Sequence, residues 1–136
     1  MSDNANTLMP AVIHADELLS VVDSISNYEE ISWHGLRVVI RRLLPFGETS
    51  LFINSVMKSC FIEENGIFVA EAIDFAIRAN TVLRHTNIEL PEDLDAQYEI
   101  LYNTDLFDCV LREINSTQHA AILEAIRIYT DLCGRK

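Results

Sequence analysis

Residues 74–106 read DFAIRANTVLRHTNIELPEDLDAQYEILYNTDL, and the architecture follows from how this stretch is parsed. Its first part continues a segment from Val69 to His85 in which Ile73, Ala76, Ile77, Asn80 and Leu83 recur at helical spacing. Phe75, Ala79 and Val82 add apolar character on another side, and a helix apolar on several sides is expected at the centre of its domain. Thr86 to Leu90 connect to a second helix. Pro91 suits its first turn, where a missing N–H costs nothing. Glu92, Asp93 and Asp95 complement its positive end, and Leu94, Tyr98 and Leu101 form its expected buried stripe. Asn103-Thr104 break the pattern. Thr104 or Asp105 can cap a short third helix that turns Leu106, Val110 and Ile114 inward.

Upstream, the period changes from helical to two. Ile31 and Trp33 alternate with polar residues, His34-Gly35 follow, and Leu36, Val38 and Ile40 alternate with Arg37, Val39 and Arg41. Period two on both sides of a glycine turn predicts a β-hairpin near residues 30–42, with Ile31, Trp33, Leu36, Val38 and Ile40 facing inward. Pro45 and Gly47 mark its exit. A helix over Glu48–Cys60 places Phe52, Val56 and Cys60 on one stripe beside Ile53 and Met57, and Glu63-Glu64-Asn65-Gly66 reads as a turn. Before the hairpin, a short helix over Asp16–Ser24 carries Leu18, Leu19, Val22 and then Ile25. Residues 1–12 read as a loose tail.

Downstream, Asn115 followed by Gln118 resembles a capping box. The last helix runs from there to Cys133 with Ile122, Ala125, Ile126, Tyr129 and Cys133 inward, and Gly134 stops it. The expected fold is therefore mainly α within the α+β class: five to six helices and one hairpin, in a single domain over residues 13–136.

The totals agree with one core. The chain has 136 residues, 49% of them hydrophobic, enough to bury a core and too many for global disorder. No apolar run approaches the roughly 20 residues of a membrane span. The first residues lack a basic segment followed by an apolar one, so a cytoplasmic protein is expected. The formal net charge of −11 argues against a nucleic-acid backbone as partner. Between Asn87 and Glu113 there are eight acidic residues and one basic, Arg112, whereas Arg37, Arg41 and Arg42 cluster in the hairpin. An acidic surface keeps a protein soluble, and it also suits a basic partner.

Residues that could carry chemistry are scattered. Cys60, Cys109 and Cys133 form neither a disulfide framework nor a zinc spacing, and each falls at an apolar helix phase. His14, His34, His85 and His119 lack ligand spacing. His34 reads as a turn residue, and His85 as a base placed to complement a helix C-terminus. There is no G-x-S-x-G, P-loop, dinucleotide fingerprint or calcium loop. Paired carboxylates such as Glu63-Glu64 and Glu92-Asp93 sit in turns and first turns, where solvated charge is the ordinary outcome. Asn115-Ser116-Thr117 forms a sequon that helix capping explains. No enzyme activity, cofactor or metal is expected. Candidate interaction residues are Trp33, Leu36 and Val38 on the hairpin and Glu92, Asp93 and Asp95 on the acidic helix.

In arrangement the chain from Ile31 to Ile128 resembles the tail assembly chaperones of long-tailed (siphophage-type) bacteriophages. The likeness rests on Ile31-Ser32-Trp33-His34-Gly35-Leu36-Arg37-Val38 and on the Glu48–Cys60 helix that follows. It is closest at Asp74-Phe75-Ala76-Ile77-Arg78, continuing to Thr86-Asn87-Ile88-Glu89-Leu90-Pro91, and it includes Ile114-Asn115 to Gln118 with the helix after them. The helix end Val82-Leu83-Arg84-His85 carries less aromatic character than the family would suggest, and the first thirty residues lie outside the likeness.

The resemblance implies a non-enzymatic morphogenesis factor. Such a protein binds the tape measure protein, keeps its apolar segments soluble, helps recruit tail tube protein, self-associates as a homo-oligomer and is absent from the mature virion. Two other classes remain open. One is a small acidic interaction protein, such as an inhibitor that mimics nucleic acid. The other is a structural tail or connector component. An enzyme assembled from His85, Asp74 and Tyr98 would require the fold to bring these residues together.

Overall fold

A computed structural model describes residues 11–62, 67–68 and 71–133. The chain is mainly helical, with six helices and a two-stranded antiparallel hairpin among these residues. Helix α1 (Ala15–Asp23) precedes strands β1 (Tyr28–Trp33) and β2 (Leu36–Arg41). There follow α2 (Phe46–Ser59), a short pair β3 (Phe61–Ile62) and β4 (Ile67–Phe68), then α3 (Glu71–His85), α4 (Leu94–Asn103), α5 (Leu106–Glu113) and α6 (Ser116–Cys133). Residues 1–10 of the expected tail over 1–12, the turn at Glu63–Gly66 and the stop at Gly134 lie outside the described residues.

The hairpin forms where the period-two pattern placed it. Trp33 pairs with Leu36 across a two-residue turn in which His34 and Gly35 both have positive φ, 49° and 78°. This turn type matches the right-handed twist of the strands, and it is why a glycine stands there. Val38 and Ile40 are buried as expected, and Ile31 and Trp33 pack against them. Leu36 shares their phase but is 60% exposed, beside the turn at the tip of the hairpin.

The free edge of β2 is closed by the end of α3. Ile40 bridges to Thr86, Asn87 Oδ1 accepts from Val39 N at 3.0 Å, and His85 Nδ1 donates to Arg41 O at 2.6 Å. His85 is thus buried, and desolvation pushes its pKa down, so it is a neutral core residue rather than a charged partner of the helix dipole.

Helix α3 is central. It packs against α2, α4 and α5 and separates two apolar clusters. One cluster joins Val38, Ile40, Val82, Leu101, Leu106, Val110 and Ile114. The other joins Leu44, Phe52, Val56, Cys60, Ala76, Ile122 and Ile126. Burying each such large side chain contributes about 1.5–3 kcal/mol. The inward phase of α3 differs from expectation: Ala76, Asn80, Thr81, Val82 and His85 are buried, while Leu83 is half exposed. In α4 only Leu101 of the expected stripe is buried, since Leu94 and Tyr98 face outward, and Pro91 precedes the helix rather than opening it. The α5 stripe Leu106, Val110 and Ile114 is buried as read.

Gly47 lies within the first turn of α2, and Pro45 occupies its N-cap. In α6, Ile122 and Ile126 are buried, whereas Tyr129 is half exposed. Asn115 Oδ1 caps α6 by accepting from Gln118 N at 2.8 Å. Gln118 does not return the bond to Asn115. Its Oε1 accepts from Leu44 N at 2.9 Å and its Nε2 donates to Leu44 O at 2.8 Å, which ties α6 to the exit of the hairpin.

Candidate functional site

Where α2, α3 and α4 meet, small residues leave space. Ser55 and Ser59 of α2 face Ala72, Ala76 and Ala79 of α3, and Phe75, Leu83, Leu94 and Gln97 form the walls of a groove of about 490 Å³. Phe75 is held edge-on against Tyr98, with ring centroids 5.5 Å apart. Leu83 and Leu94, 52% and 66% exposed, offer apolar surface at the mouth. The chain on either side of Leu94 is acidic and exposed: Glu92, Asp93 and Asp95. Asp93 Oδ2 also caps α4 by accepting from Ala96 N at 3.0 Å, which fixes where that acidic turn sits.

A second depression, also of about 490 Å³, lies between the hairpin and the end of α3. Tyr28, Val39, Leu83 and Thr86 line it, and Arg41, Arg84 and Glu48 carry its charge. Arg41 pairs with Glu48 at 2.8 Å. Leu83 borders both depressions, so they continue one another along α3.

Polar networks also lie outside the grooves. The Arg78 guanidinium lies over the rings of Tyr102 and Phe107, at 4.4 and 4.7 Å, and its Nε bonds Asp74 at 2.9 Å. Burial and the Asp74 carboxylate push the Tyr102 hydroxyl up to about 12. Burial would raise Asp74, but bonds from Tyr102 and Arg78 outweigh it and hold the carboxyl below its usual range. Cys60 is buried, and desolvation raises its thiol pKa, which suppresses the thiolate needed of a nucleophile. Asp74 and Tyr98 both meet Tyr102, whereas His85 lies about three turns further along α3. His85 is bonded to Arg41 O, Asp74 to Tyr102 and Arg78, and Tyr98 stacks on Tyr102. Among the described residues, no group of three or more His, Cys, Asp or Glu is placed to hold a metal ion, and no helix is long and apolar enough to cross a membrane.

The six candidate interaction residues separate into two places. Trp33 is half-buried, and its Nε1 donates to Asp105 Oδ1 at 2.8 Å, which also holds the Asp105 carboxyl below its usual range. Val38 is 2% exposed and faces the core, while Leu36 is open at the tip. Glu92, Asp93 and Asp95 lie together beside the α2–α3–α4 groove. Sequence reading missed the groove itself and the β3–β4 pair. The signals were present as the alanines at 72, 76 and 79 opposite Ser55 and Ser59, and as apolar pairs flanking Asn65-Gly66. No protein-family model, curated protein or solved structure matches this chain.

Proposed function

We propose that this protein is a non-catalytic assembly chaperone that holds an amphipathic helix of a long helical client in the α2–α3–α4 groove. The observation that carries the reading is the pairing of an open apolar groove, floored by small residues, with an exposed acidic turn at its mouth. Helix-in-groove recognition uses apolar anchors one turn apart, and Leu83, Leu94 and Phe75 provide a matching surface. The turn at Glu92–Asp95 favours basic residues flanking those anchors and speeds encounter with them. The net charge of −11 would keep such a complex dispersed.

With the resemblance to siphophage tail assembly chaperones, the client is the tape measure protein and the later recruit is the tail tube protein. The protein then acts in the cytoplasm of the infected cell as a homo-oligomer and is left out of the finished virion. The test is co-expression with the tape measure protein of the same phage. The client becomes soluble and co-elutes at moderate salt, and Leu94→Arg abolishes this. A client that stays insoluble, although well expressed, contradicts the proposal. The exposed carboxylates of α4 favour one other reading, an acidic mimic that occupies a basic protein. Its binding would collapse steeply as salt rises, whereas groove binding declines gently.

A further inference from the structure

Helix α1 is capped at its start, and among the described residues none of its side chains is buried. His14 N donates to the Glu17 carboxylate at 3.0 Å, closing the first turn. Leu18, Leu19, Val22 and Ile25 line one side at 56–66% exposure, and no residue of the helix is buried. A nine-residue helix is marginal in water by itself, so an apolar stripe of this kind implies a surface that covers it. The helix carries Asp16, Glu17 and Asp23 and no basic residue.

The groove at the acidic turn would repel it. The depression between the hairpin and α3 would not, for it joins exposed Tyr28 and Leu83 to Arg84, which meets no carboxylate within 4 Å among the described residues.

No residue of α1 lines the chain's own groove, although the link between them is short. The helical winding continues past Asp23, because Ser24 N and Ile25 N donate to Val21 O and Val22 O at 3.1 and 3.0 Å. Ser26 Oγ is then bonded to Tyr28 O at 3.0 Å, and Asn27 is clamped to Leu43 through both side-chain atoms. These bonds hold the link in a conformation that keeps α1 off its own groove.

We propose that α1 of one copy docks across the arginine-rimmed groove of a second copy, its leucine–valine stripe on Tyr28 and Leu83 and its first-turn carboxylates toward Arg84. The exchange is reciprocal about a two-fold axis. One short helix in a groove falls well below the roughly 800 Å² per partner of a stable interface, and the two-fold doubles the contact. The inference stands on residues of its own apart from Leu83, which borders both grooves.

Sedimentation equilibrium of the full chain from micromolar to millimolar concentration tests it. The expected result is a dimer that Leu18→Asp with Val22→Asp renders monomeric at unchanged circular dichroism. Arg84→Glu weakens the dimer by about tenfold, the size of a few reversed surface ion pairs, and Asp16→Arg, which leaves the Glu17 cap in place, restores it in that background. A wild-type monomer at every concentration, a dimer indifferent to the Leu18 and Val22 changes, or a charge swap without rescue would each overturn the proposal. Loss of client co-elution with the dimer intact would count against the chaperone reading alone.

Discussion

Replacing Gln118 with Glu separates two physical roles for one side chain. At the third position of α6, a glutamate is at least as good a capping residue as glutamine and is favoured by the helix dipole by about 0.5 kcal/mol. If capping were the role of Gln118, the change would be neutral or stabilising. In the structure Gln118 instead grips both backbone groups of Leu44, whose side chain is 2% exposed. Glutamate keeps the acceptor for Leu44 N but turns its second carboxylate oxygen on Leu44 O. A donor is lost and two acceptors face each other in a half-buried place, a cost of about 2 kcal/mol. Against the dipole gain, the net loss is about 1.5 kcal/mol. With a urea m-value of about 1–3 kcal/mol/M for a domain of this size, the midpoint drops by about 0.5–1.5 M. Urea unfolding followed by circular dichroism at pH 7 reads this directly. An unchanged or higher midpoint for Gln118→Glu would refute the clamp.

Further outcomes follow from the same packing. His85 and His119 have pKa values lowered from 6.5 by burial, so the unfolded chain takes up protons that the folded one refuses. Stability is then full above about pH 6.5 and declines as pH falls below it, by up to about 1.4 kcal/mol per pH unit for each proton; equal urea midpoints at pH 7 and pH 5 would show the histidines are not buried neutral. Gly35→Ala forces a side chain into φ 78° and lowers stability by about 1–2 kcal/mol, measurable as a fall in thermal midpoint. Trp33→Phe keeps a ring in the core but removes the bond to Asp105, so its midpoint falls by less than that of Gly35→Ala. The reverse order would mean that the indole is the stronger determinant of the hairpin.

The elements that could be read from sequence were those whose local chemistry admits one answer. His34-Gly35 between period-two runs specifies a tight hairpin, and Leu106, Val110 and Ile114 define a stripe on a helix with one buried face. The α3 phase was harder because neighbours surround the helix. With apolar residues on several sides, periodicity cannot choose among them, and the buried set includes Asn80, Thr81 and His85, whose polar atoms bond to backbone carbonyls.

Leu94, Tyr98 and the stripe of α1 show the complementary limit. Spacing marks an apolar face but does not say whether another element covers it. Gln118 was misassigned because a local partner, Asn115, lay three residues away, while the actual one, Leu44, lies 74 residues away. The candidate site shared that difficulty. Its acidic collar was visible as a run of carboxylates, but its floor is made by small residues on two helices that only the fold brings together.

The most direct measurement is backbone-amide NMR mapping of the labelled protein titrated with an amphipathic, basic-flanked helical peptide from the tape measure protein. The expected result is saturable shifts concentrated at Ser55, Ala72, Phe75, Ala79, Leu83 and Leu94, and none of this size in Leu94→Arg. A peptide that binds elsewhere, or leaves these amides unmoved at millimolar concentration, would contradict it.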